Sequence, residues 1–195
     1  ITVTDKGTVI AAYRDRSEDE IRDISIARLE GNVWQEPFTL NDDGWEISGC
    51  PVNGPAISSI DKLVAVAWFT RAKGVSAVKI AFSDDDGKSF ATPLSIEHQD
   101  PIGRVDLEML SDGSALVSWV EWIDGNEVIS ICRANQKHGC KTQQRLVLNA
   151  GNESLNFPKL ERVNEDIYLV WTQPDENGDN LSMLRLSLKP IDPFI

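Results

Sequence analysis

Apolar and polar positions along the chain alternate in short runs, and the runs repeat. VIAAY, LVAVAW, ALVSW and IYLVW each end on an aromatic residue: Tyr13, Trp68, Trp119 and Trp171, spaced 55, 51 and 52 residues apart. A second apolar row follows each aromatic, with Ile26, Ile80 and Ile131 in ISIAR, VKIAFS and ISICR, and MLRLS at the matching place in the fourth copy. Asp61, Asp112 and Asn164 each lie seven residues before their tryptophan, and the first copy carries TDKG there, shifted by about one residue. Asp, Asn and Gly accept the backbone angles that tight hairpins demand. Each unit therefore reads strand, tight turn, strand, longer loop, strand, turn, strand. The runs are β-branched and follow period two, with no helical periodicity.

A repeat of this length with four strands per unit predicts an all-β chain built as a β-propeller of four-stranded antiparallel blades. A β-sandwich also has short strands at regular spacing, but it does not usually repeat a whole four-strand module. The expected blades are residues 1–54, 55–105, 106–157 and 158–195, all within a single propeller domain spanning 1–195. Tyr13, Trp68, Trp119 and Trp171 should occupy equivalent second strands. The segment from Leu184 to Pro190 reads as the third strand of the last blade, whose fourth strand is missing.

Residues 83–90 read Ser-Asp-Asp-Asp-Gly-Lys-Ser-Phe. Ser83, Asp85, Gly87, Ser89 and Phe90 suit a tight turn between third and fourth strands. The glycine takes a positive φ, Ser and Asp bond nearby amides, and the aromatic folds under to pack between sheets. Asp84 and Asp86 read as solvated neighbours. A degenerate copy runs from Ala27 through Gly31 and Trp34 to Pro37.

With this box on a fifty-residue repeat, the chain resembles the sialidase-like, BNR/Asp-box propellers of bacterial exported proteins. Gly44-Trp45-Glu46-Ile47-Ser48-Gly49-Cys50-Pro51-Val52-Asn53-Gly54-Pro55 looks like one subgroup of these. The resemblance implies a six-bladed ring, of which about 3.75 blades are present, with about 100 residues of blade upstream. A self-contained four-bladed ring is the alternative. In such propellers the box is a structural turn remote from the ligand. Sialidases clamp a sugar carboxylate with three arginines and use a tyrosine–glutamate nucleophile and an aspartate acid/base. No motif fixes which residues here would match that set, and the inner-strand tyrosines Tyr13 and Tyr168 read as core.

Composition narrows the partners. The net charge of −12 disfavours nucleic acid and anionic membrane surfaces, and no apolar run is long enough for a membrane span. No signal peptide opens the chain, so either a precursor was trimmed or the sequence starts within a longer protein. The three cysteines are Cys50, Cys132 and Cys140. Cys132 and Cys140 flank a short hairpin, where either a disulfide or two thiols would fit. Cys50 is left over. A disulfide would favour an exported, oxidising location. No metal site or cofactor is expected.

The loops joining strands two and three, and those joining strand four to the next blade, lie on one face of a propeller. They carry Arg14, Arg22, Arg71 and Arg104 in an acidic chain, with Asp106 and Glu121 as the best acidic candidates. Planar guanidinium groups suit carboxylate or sulfate, and Asp23 and Asp106 are the expected internal partners of these arginines. Two functions follow: a glycan- or protein-binding module using this face, or a glycoside hydrolase of exo-sialidase type. Fold alone does not choose between them.

Overall fold

The computed structural model describes residues 1–96, 99–147, 157–175 and 178–188. Four antiparallel sheets follow one another along the chain. The first holds β1 (Thr2–Val3), β2 (Val9–Arg14), β3 (Ile24–Glu30), β4 (Val33–Trp34) and β5 (Phe38–Asn41), with both β4 and β5 paired to β3. The second is β6 (Ala56–Ile60), β7 (Leu63–Thr70), β8 (Ala77–Ser83) and β9 (Leu94–Ile96). The third is β10 (Asp100–Met109), β11 (Ala115–Ile123), β12 (Asn126–Asn135) and β13 (Gly139–Val147). The fourth is β14 (Lys159–Val163), β15 (Asp166–Asp175) and β16 (Gly178–Ser187). The 3-10 turn Ala72–Gly74 lies between β7 and β8. Among the described residues no helix is long and apolar enough to cross a membrane.

Each sheet is a meander, and the first strands β1, β6, β10 and β14 touch one another in succession. The sheets therefore converge on their first strands, as propeller blades do. Tyr13, Trp68, Trp119 and Trp171 all lie on the second strand of their sheet. The hydrophobic core is split into three clusters, each between consecutive sheets. Trp68 packs with Ile10, Ile24 and Ile26 of the first sheet. Trp119 packs with Phe69, Val78 and Ile80 of the second. Trp171 packs with Val120, Ile129 and Ile131 of the third.

This stacking explains the strand patterns. β7 lies between two sheets and is buried from its second residue to its last, so it reads as one continuous apolar run. Among the described residues β15 is covered by the third sheet on one side only. Ile167, Leu169 and Trp171 are buried while Tyr168 and Val170 between them are half-exposed, giving plain alternation. Asp61 (φ 52°) and Asn164 (φ 59°) take the left-handed conformation at the β6–β7 and β14–β15 turns.

Three boundaries differ from the sequence reading. β10 begins at Asp100 and runs through residue 105 into 106, because irregularities after Pro101 and Gly103 let the strand absorb both residues. Residues 121–123 and 173–175 extend β11 and β15 beyond the apolar runs that end at Trp119 and Trp171. β16 begins at Gly178, ahead of the expected Leu184. The end of the expected last strand, through Pro190, lies outside the described residues.

At the β8–β9 turn, Ser83 Oγ accepts the N–H groups of Gly87 (2.9 Å) and Asp85 (3.3 Å) and lies 2.8 Å from Asp85 Oδ1. Asp85 also accepts from Ser89 N–H (3.0 Å) and Ser89 Oγ (2.7 Å). Burial works to raise the Asp85 carboxyl, but bonds from Ser89, Ser83 and Lys88 outweigh it and hold the group at about 2. Gly87 has φ +70°, and a Cβ there would lie 2.7 Å from Ile10 Cδ1, so the turn sits directly on the first sheet. Phe90 packs 6.4 Å from Phe38, ring to ring. Asp86 is not solvated: it is 4% exposed, bonded to Lys6 at 2.5 Å, and its carbonyl accepts Arg28 Nε at 3.0 Å. In the degenerate copy, Trp34 is 53% exposed because β4 ends there and Phe38 of β5 takes the place against Phe90. A Cys132–Cys140 disulfide ties β12 to β13, with Cα atoms 5.7 Å apart, and Cys50 is free and exposed.

Candidate functional site

The loop face is built around Arg14 at the end of β2. Its Nε donates to Asn53 O (2.9 Å), Nη1 to Arg22 O (2.6 Å) and Nη2 to Phe69 O (2.7 Å). The guanidinium lies 4.6 Å from the centroid of the Trp45 ring, and Trp45 meets Phe69 edge-on at 5.7 Å. Burial lowers Arg14 to about 10, with Asp43 and Asp23 opposing. A planar fork bonded to three carbonyls of three segments is a clamp between the first two sheets. Trp45 is held in turn by Asp23, whose carboxylate accepts the N–H groups of Gly44 (2.8 Å) and Trp45 (3.1 Å). Next to it, Asp43 accepts the Trp68 indole N–H at 2.7 Å and bonds Lys79.

The other arginines are placed differently. Arg22 bonds Glu20 at 2.7 Å, while its Nε is buried without a hydrogen-bond partner among the described residues. Arg71 opens the 3-10 turn, is exposed, and has no ion-pair or side-chain hydrogen-bond partner among the described residues. Arg104 has φ 53°, donates its N–H to Asn53 Oδ1 (2.8 Å), pairs with Glu127 (3.0 Å) and lies 5.9 Å from the Phe157 ring centroid. Asn53 therefore joins the first and third sheets: its carbonyl holds Arg14, its Oδ1 holds Arg104, and its Nδ2 donates to Ile102 O at 2.9 Å.

The acids serve packing. Asp106 accepts the Leu160 N–H at 2.8 Å and lies 3.4 Å from Lys159 Nζ. Burial raises its carboxyl against the pull of Leu160 N–H and Lys159. Glu121 is fully buried, accepting from Ser130 Oγ and from Gln99 N–H at 2.6 Å. Asp23 and Asp106 bind backbone amides, so Glu20 and Glu127 take the arginines the sequence had assigned to them. The reason is reach: both aspartates sit where a short carboxylate meets nearby N–H groups, and the longer glutamates extend to the guanidiniums.

The structure thus brings Arg14, Arg22 and Arg104 into one network, leaves Arg71 exposed at its own turn, and sets Asp106 and Glu121 into contacts of their own. Sequence reasoning missed Asn53, Trp45 and Glu127. Asn53 and Trp45 stand in a stretch legible only as a turn-rich motif, and Glu127 is one charge in a charged hairpin. It also passed over two exposed aromatics. Trp122 (41% exposed) pairs in register with Glu127, and Phe157 (45% exposed) stands beside Arg104. An ion pair between exposed rings offers in-plane donors and acceptors next to apolar faces, the combination a sugar ring presents in reverse. Tyr13 is the tyrosine nearest this face; burial, then Asp15 and Glu36, push its phenol up, with Ser25 opposing. Among the described residues no group of three or more His, Cys, Asp or Glu is placed to hold a metal ion.

No protein-family model matches the chain, and no curated protein matches it. Solved structures do. The Hadza microbial sialidase Hz136 superposes with a TM-score of 0.57 at 16% identity, covering 96% of this chain and 44% of the sialidase. Trypanosoma rangeli sialidase gives 0.56 at 11% identity, over 96% of this chain and 36% of that one. The GH43 endo-arabinanase from Bacillus licheniformis gives 0.51 at 12% identity, over 98% and 72%. The chain therefore spans less than half the length of these sialidases. At such identities the likeness is one of fold, and the fold it shares is that of β-propeller glycosidases.

Proposed function

We propose that this chain is part of an exported, carbohydrate-recognising propeller that binds a glycan on its loop face, at the Arg104–Glu127 pair between Trp122 and Phe157. The observation that carries the reading is this pair, largely buried at 18% and 8% side-chain exposure, with an exposed aromatic ring beside each partner. A fixed guanidinium and carboxylate orient hydroxyl groups, and the rings supply area at low entropic cost. Glycosidase propellers as structural neighbours support a sugar as ligand. The disulfide supports an oxidising compartment. The exposed Leu181 and Met183 on the outer side of the fourth sheet fit a ring that continues with further sialidase-like blades.

Binding is favoured over sialidase-type cleavage. Arg14 is committed to three carbonyls, Arg22 and Arg104 to glutamates. A nucleophilic tyrosine needs a phenol pulled down, and that of Tyr13 is pushed up. The test is calorimetric titration with sialyllactose, xylo-oligosaccharides and arabino-oligosaccharides, alongside a fluorogenic sialoside assay. Trp122→Ala and Phe157→Ala should each weaken binding about tenfold. Turnover of the sialoside would overturn the binding-only reading; a glycan bound equally by both variants would move the site elsewhere.

A further inference from the structure

A cavity of about 410 Å3 opens at the opposite end of the strands from the loop face. It lies between the second and third sheets, near Leu63 where β7 begins, whereas Arg71 follows the other end of that strand, about 23 Å away at the rise of an extended chain. The volume falls within the usual range for small-ligand sites. Its walls include Leu63, Phe82, Phe90 and Met109, and its polar lining includes Asp84 and Gln136.

The polar groups differ in what they can still do. The hydroxyls of Ser83 and Ser89 are bonded to Asp85. Gln136 Nε2 donates to Thr92 O at 3.2 Å. Asp84 is exposed and has no hydrogen-bond or ion-pair partner among the described residues. Arg133, near this rim on β12, is held by Asp112 at 2.6 Å and by Ser114 at 2.9 Å. A ligand entering here meets the Phe82 ring, the Leu63 side chain, the Met109 thioether and one uncommitted carboxylate, while the ring of Phe90 at the rim packs against Phe38. Phenyl faces and a carboxylate both attract cations, and neither solvates an anion.

We infer that this cavity binds small organic ammonium compounds, with the apolar body against Leu63, Phe82 and Met109 and the cationic head near Asp84. The site is independent of the glycan face: its ligand is of opposite chemistry and none of its lining residues belongs to that face.

The experiment is titration of the 195-residue protein with benzyltrimethylammonium, benzyl alcohol and benzoate, read from backbone amide shifts in proton–nitrogen correlation spectra. Shifts should map to Phe82–Ala91 and Gly113, with the cation bound about fivefold or more tighter than the alcohol and benzoate weakest. Asp84→Asn should remove most of the cation's advantage over the alcohol, leaving only what the phenyl face supplies. Ala91→Trp, at an exposed position of the lining, should abolish both, and Gln136→Trp is a second plug should Ala91→Trp disturb the fold. Equal affinity for the three probes, cation binding unchanged in Asp84→Asn, or shifts confined to other residues would each overturn the assignment.

Discussion

The contact of Gly103 with Asn53 sets a measurable test of how the loop face is held. Gly103 has φ +106°, and a Cβ built there would lie 2.6 Å from Asn53 Cγ and Oδ1 and 2.7 Å from Nδ2. That amide cannot simply swing aside, because Nδ2 bonds Ile102 O and Oδ1 bonds Arg104 N–H. Gly103→Ala therefore carries two costs. Backbone strain at this φ is about 1–3 kcal/mol, and displacing the amide loses two hydrogen bonds at about 1 kcal/mol each. The stiffer unfolded chain of alanine returns at most about 1 kcal/mol. The expected loss is about 2–5 kcal/mol, a fall in Tm of roughly 10 °C for a chain of this size. Asn53→Ala alone should cost about 2 kcal/mol. In the double variant the hydrogen bonds are lost only once, so it should be about as stable as Gly103→Ala, a coupling of about 2 kcal/mol. Urea unfolding of the four proteins measures this directly. Additive losses, or a Gly103→Ala variant within about 1 kcal/mol of the parent, would refute the reasoning.

Arg14→Lys should cost about 2–4 kcal/mol in urea unfolding, since an ammonium cannot serve three carbonyls and lie flat on Trp45. Reducing the Cys132–Cys140 disulfide, or replacing both residues by alanine, should lower stability by about 2–3 kcal/mol for a loop this short, measured by unfolding with and without reductant. Asp85 is held at about 2, below its ordinary 3.8, so it contributes stability that is complete above pH 4 and lost as pH falls through about 2. Asp85→Asn should flatten the stability profile in that window, as followed by fluorescence-detected unfolding at a series of pH values. Glu108 runs the other way: burial raises its carboxyl, and neighbouring Glu161 and Asp106 add to this against Ser58, so it favours the fold at low pH and costs stability once ionised. Glu108→Gln should be more stable than the parent at pH 7, with the gap closing on acidification.

The repeat was legible because every sheet meets the same demand. A second strand packed against a neighbouring sheet must put apolar residues on the packed side, as in β7, β11 and β15, and its indole fills the space against the preceding sheet. The turns were legible because Asp61 and Asn164 sit where a left-handed residue is needed. The start of β10 was not, since Pro101 and Gly103 look like strand breakers until the irregular register that accommodates them is seen. The arginine partners were hidden for a related reason: spacing brings Arg14 to the right face, but whether it meets a ligand or the carbonyls of Asn53, Arg22 and Phe69 depends on backbone directions in three separate segments. Burial of Asp86 was likewise invisible, because its partners Lys6 and Arg28 lie in the preceding sheet.

The direction in which the tryptophans point has a consequence for biosynthesis. Trp68, Trp119 and Trp171 each face the sheet that precedes their own, never the one that follows. A chain leaving the ribosome therefore delivers each large side chain onto a surface that has already emerged. Docking can proceed sheet by sheet from the amino-terminal side, with none of these three indoles waiting exposed for residues not yet made. Folding that keeps pace with translation limits the time in which sticky intermediates could meet other chains.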